Sequence, residues 1–265
     1  MSKSALTKET VKRAVLRNEP VILCGLKFYG ITLDRYEEWQ AVKSVLLVRQ
    51  STLPVLFISL PFIDALFALD IENLKATGQL AGAMNGILEA MTMSLRLPED
   101  SVANKQIRLV THNQELKGFY VAYQNEMQDV FIPKEVFPQI REIIAWQQGE
   151  EVPDESLNDD LLEDEKWIAQ RTAGNLDFRF DDLLASVALN TRNRISDLYG
   201  MSILEFEMMR RAIDRDKKYL ICGIAENSGT KWKDGNPYPS WSFDRKKAES
   251  GTLTHISKFE GIAQK

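Results

Sequence analysis

Two histidines, His112 and His255, are the residues whose ordinary titration lies nearest neutral pH, and imidazole is the usual proton shuttle there. Neither stands at metal-ligand or triad spacing from another candidate. The adjacent or near-adjacent carboxylates Glu37/Glu38, Asp181/Asp182 and Glu205/Glu207 have the residue type for general acid–base work. Each pair falls in a helical or capping context, so the expectation is exposed helix or cap residues. Cys24 and Cys222 are the whole cysteine complement. Both lie in apolar surroundings and are expected as small buried hydrophobes rather than a disulfide, which suits a reducing compartment. The sequence carries no phosphate-binding glycine loop, no nucleophile elbow and no zinc-ligand spacing. It therefore predicts no catalytic residue, no cofactor and no metal site, and a chain that is not an enzyme.

A different constellation is present near the C-terminus. The stretch KWKDGNPYPSWSFDRKK, Lys231 to Lys247, holds two of the five tryptophans, two prolines and five basic residues. Tyrosine and tryptophan supply large amphipathic area at low entropic cost, and prolines stiffen an extended chain. Trp232, Tyr238, Trp241 and Phe243 are thus candidate partner contacts. The same residues also suit self-packing. Gly229 ends the preceding helix, and Pro237 and Pro239 enforce extension. Trp241 and Phe243 are expected against that helix, with Trp232 and Tyr238 more exposed.

The elements around these residues follow from periodicity and punctuation. Thr7 caps a short helix that Asn18-Glu19-Pro20 ends. VILCGLKFYGIT reads as two short strands around Gly25. Asp34 and Glu37 have capping-box spacing, and Tyr36, Trp39, Val42 and Leu46 form a helical stripe behind them. LPVLFISLPFIDALFALDI is the most apolar run. Pro54, Pro61 and Asp64 break it, which predicts a buried element rather than a membrane span. Pro61 opens a helix with Phe62, Leu66 and Leu69 on one face. Met84, Ile87, Met91 and Leu95 align on another. KQIRLVTHN, LKGFYVAYQN and QDVFIP then read as a three-stranded meander. A helix within PKEVFPQIREIIAWQQG stops at Gly149.

From Glu150 to Glu165 there are nine acidic residues and no basic ones, a solvated linker expected to be mobile. The fold class is α+β. An α+β domain of N-terminal helices and short antiparallel strands spans 1–149, and an acidic linker spans 150–166. A mainly helical domain with the Trp/Pro-rich extended segment spans 167–265. Its first helix aligns Phe178, Phe180, Leu183, Leu184, Val187 and Ala188. Its second opens on a Ser202/Glu205 capping box and turns Ile203, Phe206, Met209, Ile213, Leu220 and Ile224 inward.

With 265 residues, 44% of them hydrophobic, the chain has material for a real core. The net charge of −5 gives no global attraction to nucleic acid or anionic lipid. Residues 183–213 mimic a helix-turn-helix pattern, and residues 190–247 carry twelve basic and eight acidic residues. The acids interleave with the bases on one helix, which fits intrahelical ion pairs better than a phosphate-facing surface. The N-terminus has no apolar core of signal-peptide type. No nucleic acid and no membrane are expected as partners, and the expected location is the cytoplasm.

The stretch from Ser186 to Arg245 resembles the C-terminal portion of uncharacterised proteins from the tail modules of phages and prophages of Gram-positive bacteria. The pattern is Asp197-Leu198-Tyr199, a long helix with phenylalanine and methionine, then Gly235-Asn236-Pro237 and Ser240-Trp241-x-Phe243-Asp244. VKSVLLVRQSTLPVLFISLPFIDALFALD is similar to the same group. These motifs are structural, and no functional residue is carried over from them. The group is labelled tail assembly chaperones, encoded near the tape-measure gene. The resemblance implies a cytoplasmic tail assembly factor of the host cell that binds phage tail proteins, the tape-measure protein among them. Met84, Met91, Met93, Met208 and Met209 are candidates for an adaptable groove, against ordinary core filling. Three alternatives stand beside this reading: a structural tail or baseplate component of the virion, a DNA-binding regulator, and an enzyme without a recognisable motif.

Overall fold

The computed structural model describes residues 6–78, 82–122, 129–155, 179–233 and 235–242. It is an α+β fold of helices with small antiparallel sheets. The chain forms two compact units: Met1–Pro153 with Tyr199–Phe206, and Asp154–Leu198 with Glu207–Lys265.

The first unit opens with helix α1, Lys8–Leu16, capped reciprocally by Thr7 and Thr10. Strands β1 (Val21–Leu23) and β2 (Leu26–Phe28) form a hairpin. Its two turn residues, Cys24 and Gly25, both have positive φ, the mirror-image turn that matches strand twist. Cys24 is therefore exposed on a hairpin tip, which corrects its expected burial, whereas Cys222 is buried.

Helix α2, Tyr36–Leu47, buries Trp39, Val42 and Leu46 as its stripe predicts. The expected Asp34/Glu37 capping box does not form. A 3-10 turn, Leu33–Arg35, precedes the helix, and the Asp34 amide donates to Tyr199 O at 3.2 Å instead. Arg35 then pairs with Glu38.

Helices α3 (Phe62–Thr77) and α4 (Ala83–Ser94) follow. α4 is central: it packs on α2, on α3 and on α5, Phe137–Gln147. Met84, Met91 and Met93 are all buried in it, so they fill core instead of lining a groove. Strands β3 (Ile107–His112), β4 (Glu115–Val121) and β5 (Val130–Pro133) form the meander, in the order β3-β4-β5.

A buried polar knot ties these layers. Gln147 Nε2 donates to Phe28 O at 2.9 Å, and Ser94 Oγ donates to Gln147 Oε1 at 2.9 Å. The Tyr29 amide donates to Ser94 O at 2.7 Å. These bonds satisfy, inside the core, groups that burial would otherwise penalise.

Residues 199–206, expected with the C-terminal domain, belong to the first unit. Leu33 N donates to Met201 O, and Ile203 N donates to Ile31 O, both at 2.9 Å, with Thr32 and Ser202 bridged antiparallel between them. A β carbon on Gly30 would stand 2.8 Å from Val15 Cγ1 and 3.2 Å from Ser202 Cβ, so the close approach needs glycine there. The beginning of the acidic stretch also belongs to this unit: Glu150 pairs with Lys43, and Glu151 with Lys8. Residues 156–166 of that stretch, whose mobility the sequence predicts, lie outside the described residues.

The second unit holds helix α6, Phe180–Thr191, and the short helix α7, Ile195–Leu198. Helix α8, Ile203–Asn227, starts in the first unit and continues into the second. α6 buries Leu184, Val187 and Ala188, and Arg192 stops it at φ 59°. The Ser202/Glu205 capping box forms as expected: Glu205 N donates to Ser202 Oγ at 3.2 Å, and Ser202 N donates to Glu205 Oε2 at 2.8 Å. Along α8, Ile203 and Phe206 are buried, whereas Leu220 is 54% and Ile224 67% exposed. This corrects the expected inward face. α6 faces α8 at Arg210, Ile213, Asp214 and Lys217, and the helix then outruns it.

Candidate protein-binding site

The aromatic-basic segment turns back along α8. Asn236 Oδ1 accepts from the Tyr238 amide at 2.8 Å, a side chain–backbone turn that shapes the return. Lys218 Nζ lies 5.3 Å from the Tyr238 ring centroid, and Arg215 Nη1 donates to Ser242 O at 3.2 Å. The hydrogen bond to Asp214, at 2.7 Å, holds the Lys218 ammonium above the usual lysine range; burial opposes it, and Tyr238 adds further support.

The fold-back is present, but other aromatics make it. Tyr238 and Trp232 are half-buried, and Trp232 Nε1 is enclosed without a hydrogen-bond partner among the described residues. Trp241 is 64% exposed, which corrects its expected burial. The physical reason is that Asn236 sets the turn and Arg215 holds the segment by the Ser242 carbonyl, so the return along α8 is fixed through backbone and Tyr238 contacts and not through burial of Trp241. Phe243 lies outside the described residues. On α8 the interleaved charges pair within the helix, Glu207 with Arg210 and Asp214 with Lys218.

A second surface, on the first unit, was not singled out from the sequence. Between α2 and α3 the uncharged run Gln50–Leu60 forms a compact loop. Leu53 N donates to Gln50 O at 3.1 Å, Phe57 N to Pro54 O at 2.8 Å, and Leu60 N to Phe57 O at 3.0 Å. The Gln50 side-chain amide reaches across to Ile58 O at 2.6 Å and also to Leu60 O. The tip of this stapled loop displays Val55 and Leu56, 85% and 82% exposed. The apolar run expected as one buried element is thus split. Leu53 at its start and its α3 part, with Ile63, Ala65 and Leu66, enter the core, and the stretch between them does not.

The loop leads directly into a pocket of about 290 Å³ at the start of α3. Its floor is aromatic. Phe62 stacks on Phe137 at 6.4 Å between centroids, and Phe137 on Phe119 at 5.7 Å. The Arg141 guanidinium lies 3.6 Å from the Phe62 ring centroid. Arg141 is buried and also donates to Leu46 O at 2.6 Å and Val48 O at 2.8 Å, which serves the carbonyl end of α2. Lys134 and Asp64 face each other across the rim at 2.7 Å. Glu135, Glu142 and Val152 complete the lining.

This arrangement can hold an apolar side chain against aromatic rings and meet charged groups at its edge. The sequence signal for it was the charge-free stretch between Arg49 and Asp64, punctuated by Pro54 and Pro61. Among the described residues no group of three or more His, Cys, Asp or Glu is placed to hold a metal ion, and no helix is long and apolar enough to cross a membrane. Of the carboxylates first considered for chemistry, Glu37, Glu38, Asp181 and Asp182 are exposed, Glu205 caps α8, and Glu207 pairs with Arg210. No protein-family model, no curated protein and no solved structure matches the chain.

Proposed function

We propose that this protein is a non-catalytic, protein-binding factor of phage tail assembly, acting in the host cytoplasm on a tail protein such as the tape-measure product. The observation that carries the binding reading is the stapled loop with Val55 and Leu56 at its tip, next in the chain to an aromatic-floored pocket. Two aliphatic side chains held almost fully in water forgo about 1.5–3 kcal/mol each relative to burial. Adjacent exposed apolar side chains on a hydrogen-bonded loop beside a pocket support an interaction surface. The class of partner comes from the resemblance to tail-module proteins.

The test is co-expression with the tail-module products of the same genome. The tape-measure or another tail product is expected to co-purify with the wild-type chain, and a Val55→Ser/Leu56→Ser variant to lose it while keeping the wild-type melting temperature. Capture of no tail product by the wild-type chain overturns the reading. Mass spectrometry of purified particles separates it from the alternative of a structural tail or baseplate component, which would be abundant in the mature virion.

A further inference from the structure

We infer that the pocket between the start of α3 and α5 seats an apolar anchor of a basic amphipathic helix on a partner protein. The inference deepens the protein-binding reading and rests on it. It rests on the distribution of charge around an apolar centre. Asp64 and Lys134 neutralise one another at 2.7 Å. The Arg141 guanidinium is committed to Phe62 and to the carbonyls of Leu46 and Val48. Nearby, Glu150 and Glu151 are taken by Lys43 and Lys8. Two lining carboxylates, Glu135 and Glu142, have no cationic partner among the described residues.

The surface therefore offers a partner an aromatic floor, an apolar lip at Val152 and a net negative rim, in which the Glu135 and Glu142 carboxylates are not ion-paired among the described residues and the one remaining cation, Arg141, is buried. Its complement is one apolar side chain flanked by lysine or arginine. A helix presents that combination over two turns, with apolar residues at i, i+4 and i+7 and cations beside them. Such a helix has a further row of apolar residues for the Val55/Leu56 tip that leads into the pocket wall. Electrostatic complementarity of this kind sets specificity and speeds encounter, while the anchor in the pocket sets residence. An acidic helix or a nucleic acid would place like charge on Glu135 and Glu142.

The experiment uses the full chain and two fluorescein-labelled 18-residue helical peptides. Both carry the same leucine and phenylalanine face, one with lysine flanks and one with glutamate flanks. By anisotropy at low salt, the lysine peptide is expected to bind about tenfold tighter than its acidic twin. The gap should narrow at high salt, as screening shortens the reach of the rim charges. Glu135→Lys/Glu142→Lys, on the pocket rim, should reverse the preference, and Val152→Trp, which fills the mouth, should weaken both peptides. Glu37→Lys/Glu89→Lys changes net charge equally elsewhere and should leave the preference intact.

Equal binding of the two peptides, or equal loss of preference in both charge-reversed variants, overturns the inference. The tail reading fails separately. A peptide preference that reverses as described, with no tail product captured, keeps the pocket assignment and removes the tail partner. A captured tail product with no peptide preference does the opposite.

Discussion

Asp70, on α3, receives the first amides of α4: Met84 N–H donates to Asp70 Oδ2 at 2.8 Å and Ala83 N–H to Oδ1 at 3.2 Å. The carboxylate is only 3% exposed. A helix start leaves its first N–H groups without intrahelical partners and carries a partial positive charge. Gly82, in the N-cap position, has no side chain to serve them, so a neighbouring helix supplies the cap. Asp70→Ala should cost about 2–3 kcal/mol, since it orphans two buried donors facing a charged acceptor. Asp70→Asn, which keeps one acceptor, should cost roughly half that. Urea unfolding measures both, and wild-type midpoints would show that α4 does not need this cap.

Gln147 and Ser94 form the second buried tie, at 2.9 Å. Gln147→Leu keeps the volume but strips Phe28 O of its side-chain donor and leaves Ser94 Oγ with Tyr29 O alone, at 3.1 Å, so it should cost about 1–3 kcal/mol. Ser94→Ala should cost less. A double-mutant cycle should return a coupling of about 1 kcal/mol or more, because the two side chains share one network. Additive losses would reduce the pair to two independent core positions.

Trp241 and Trp232 exchange the roles that spacing assigns them. Trp241→Ala should change stability by less than about 0.5 kcal/mol, as an exposed side chain does. Trp232→Ala should cost about 1–2 kcal/mol for a half-buried ring. Thermal unfolding of the two variants checks the order. A larger loss at Trp241 would return the clasp to that residue.

Lys218 gives the segment a signature in pH. Its folded pKa is raised above the ordinary lysine value chiefly by the Asp214 hydrogen bond, which outweighs the opposing effect of burial, with a further contribution from Tyr238. A raised cation contributes stability that is fully present below the unfolded-state value, near 10.5, and is lost as pH rises through the higher folded value. An NMR titration of the Lys218 side chain should follow that raised value. It should fall substantially in Asp214→Asn and by less in Tyr238→Phe. A titration unchanged by either substitution would mean that the turn does not close over Lys218 in solution.

Much of this architecture is written in local rules. Thr7 and Ser202 cap helices because their hydroxyls reach the amide three residues on. Gly149 and Gly229 end helices because glycine accepts positive φ, 79° and 94° here. The meander follows from short β-prone runs cut by polar turns, and the Trp39, Val42, Leu46 stripe from the 3.6-residue period. Each of these depends on residues within a few positions of one another, so the sequence alone carries them.

Other features need partners far along the chain. Whether Asp34 joins a capping box depends on Tyr199 O, which takes its amide. Whether residues 199–206 belong with what precedes or follows them depends on Ile31 and Leu33. The pocket gathers Phe62, Phe137, Arg141 and Val152 from three separate stretches, and no periodicity relates them. Hydrophobicity announced that Val55, Leu56, Leu220 and Ile224 were apolar. Their exposure was decided by where the stapled loop turns and where α8 outruns α6, because burial is a property of the space around a side chain and not of the side chain itself.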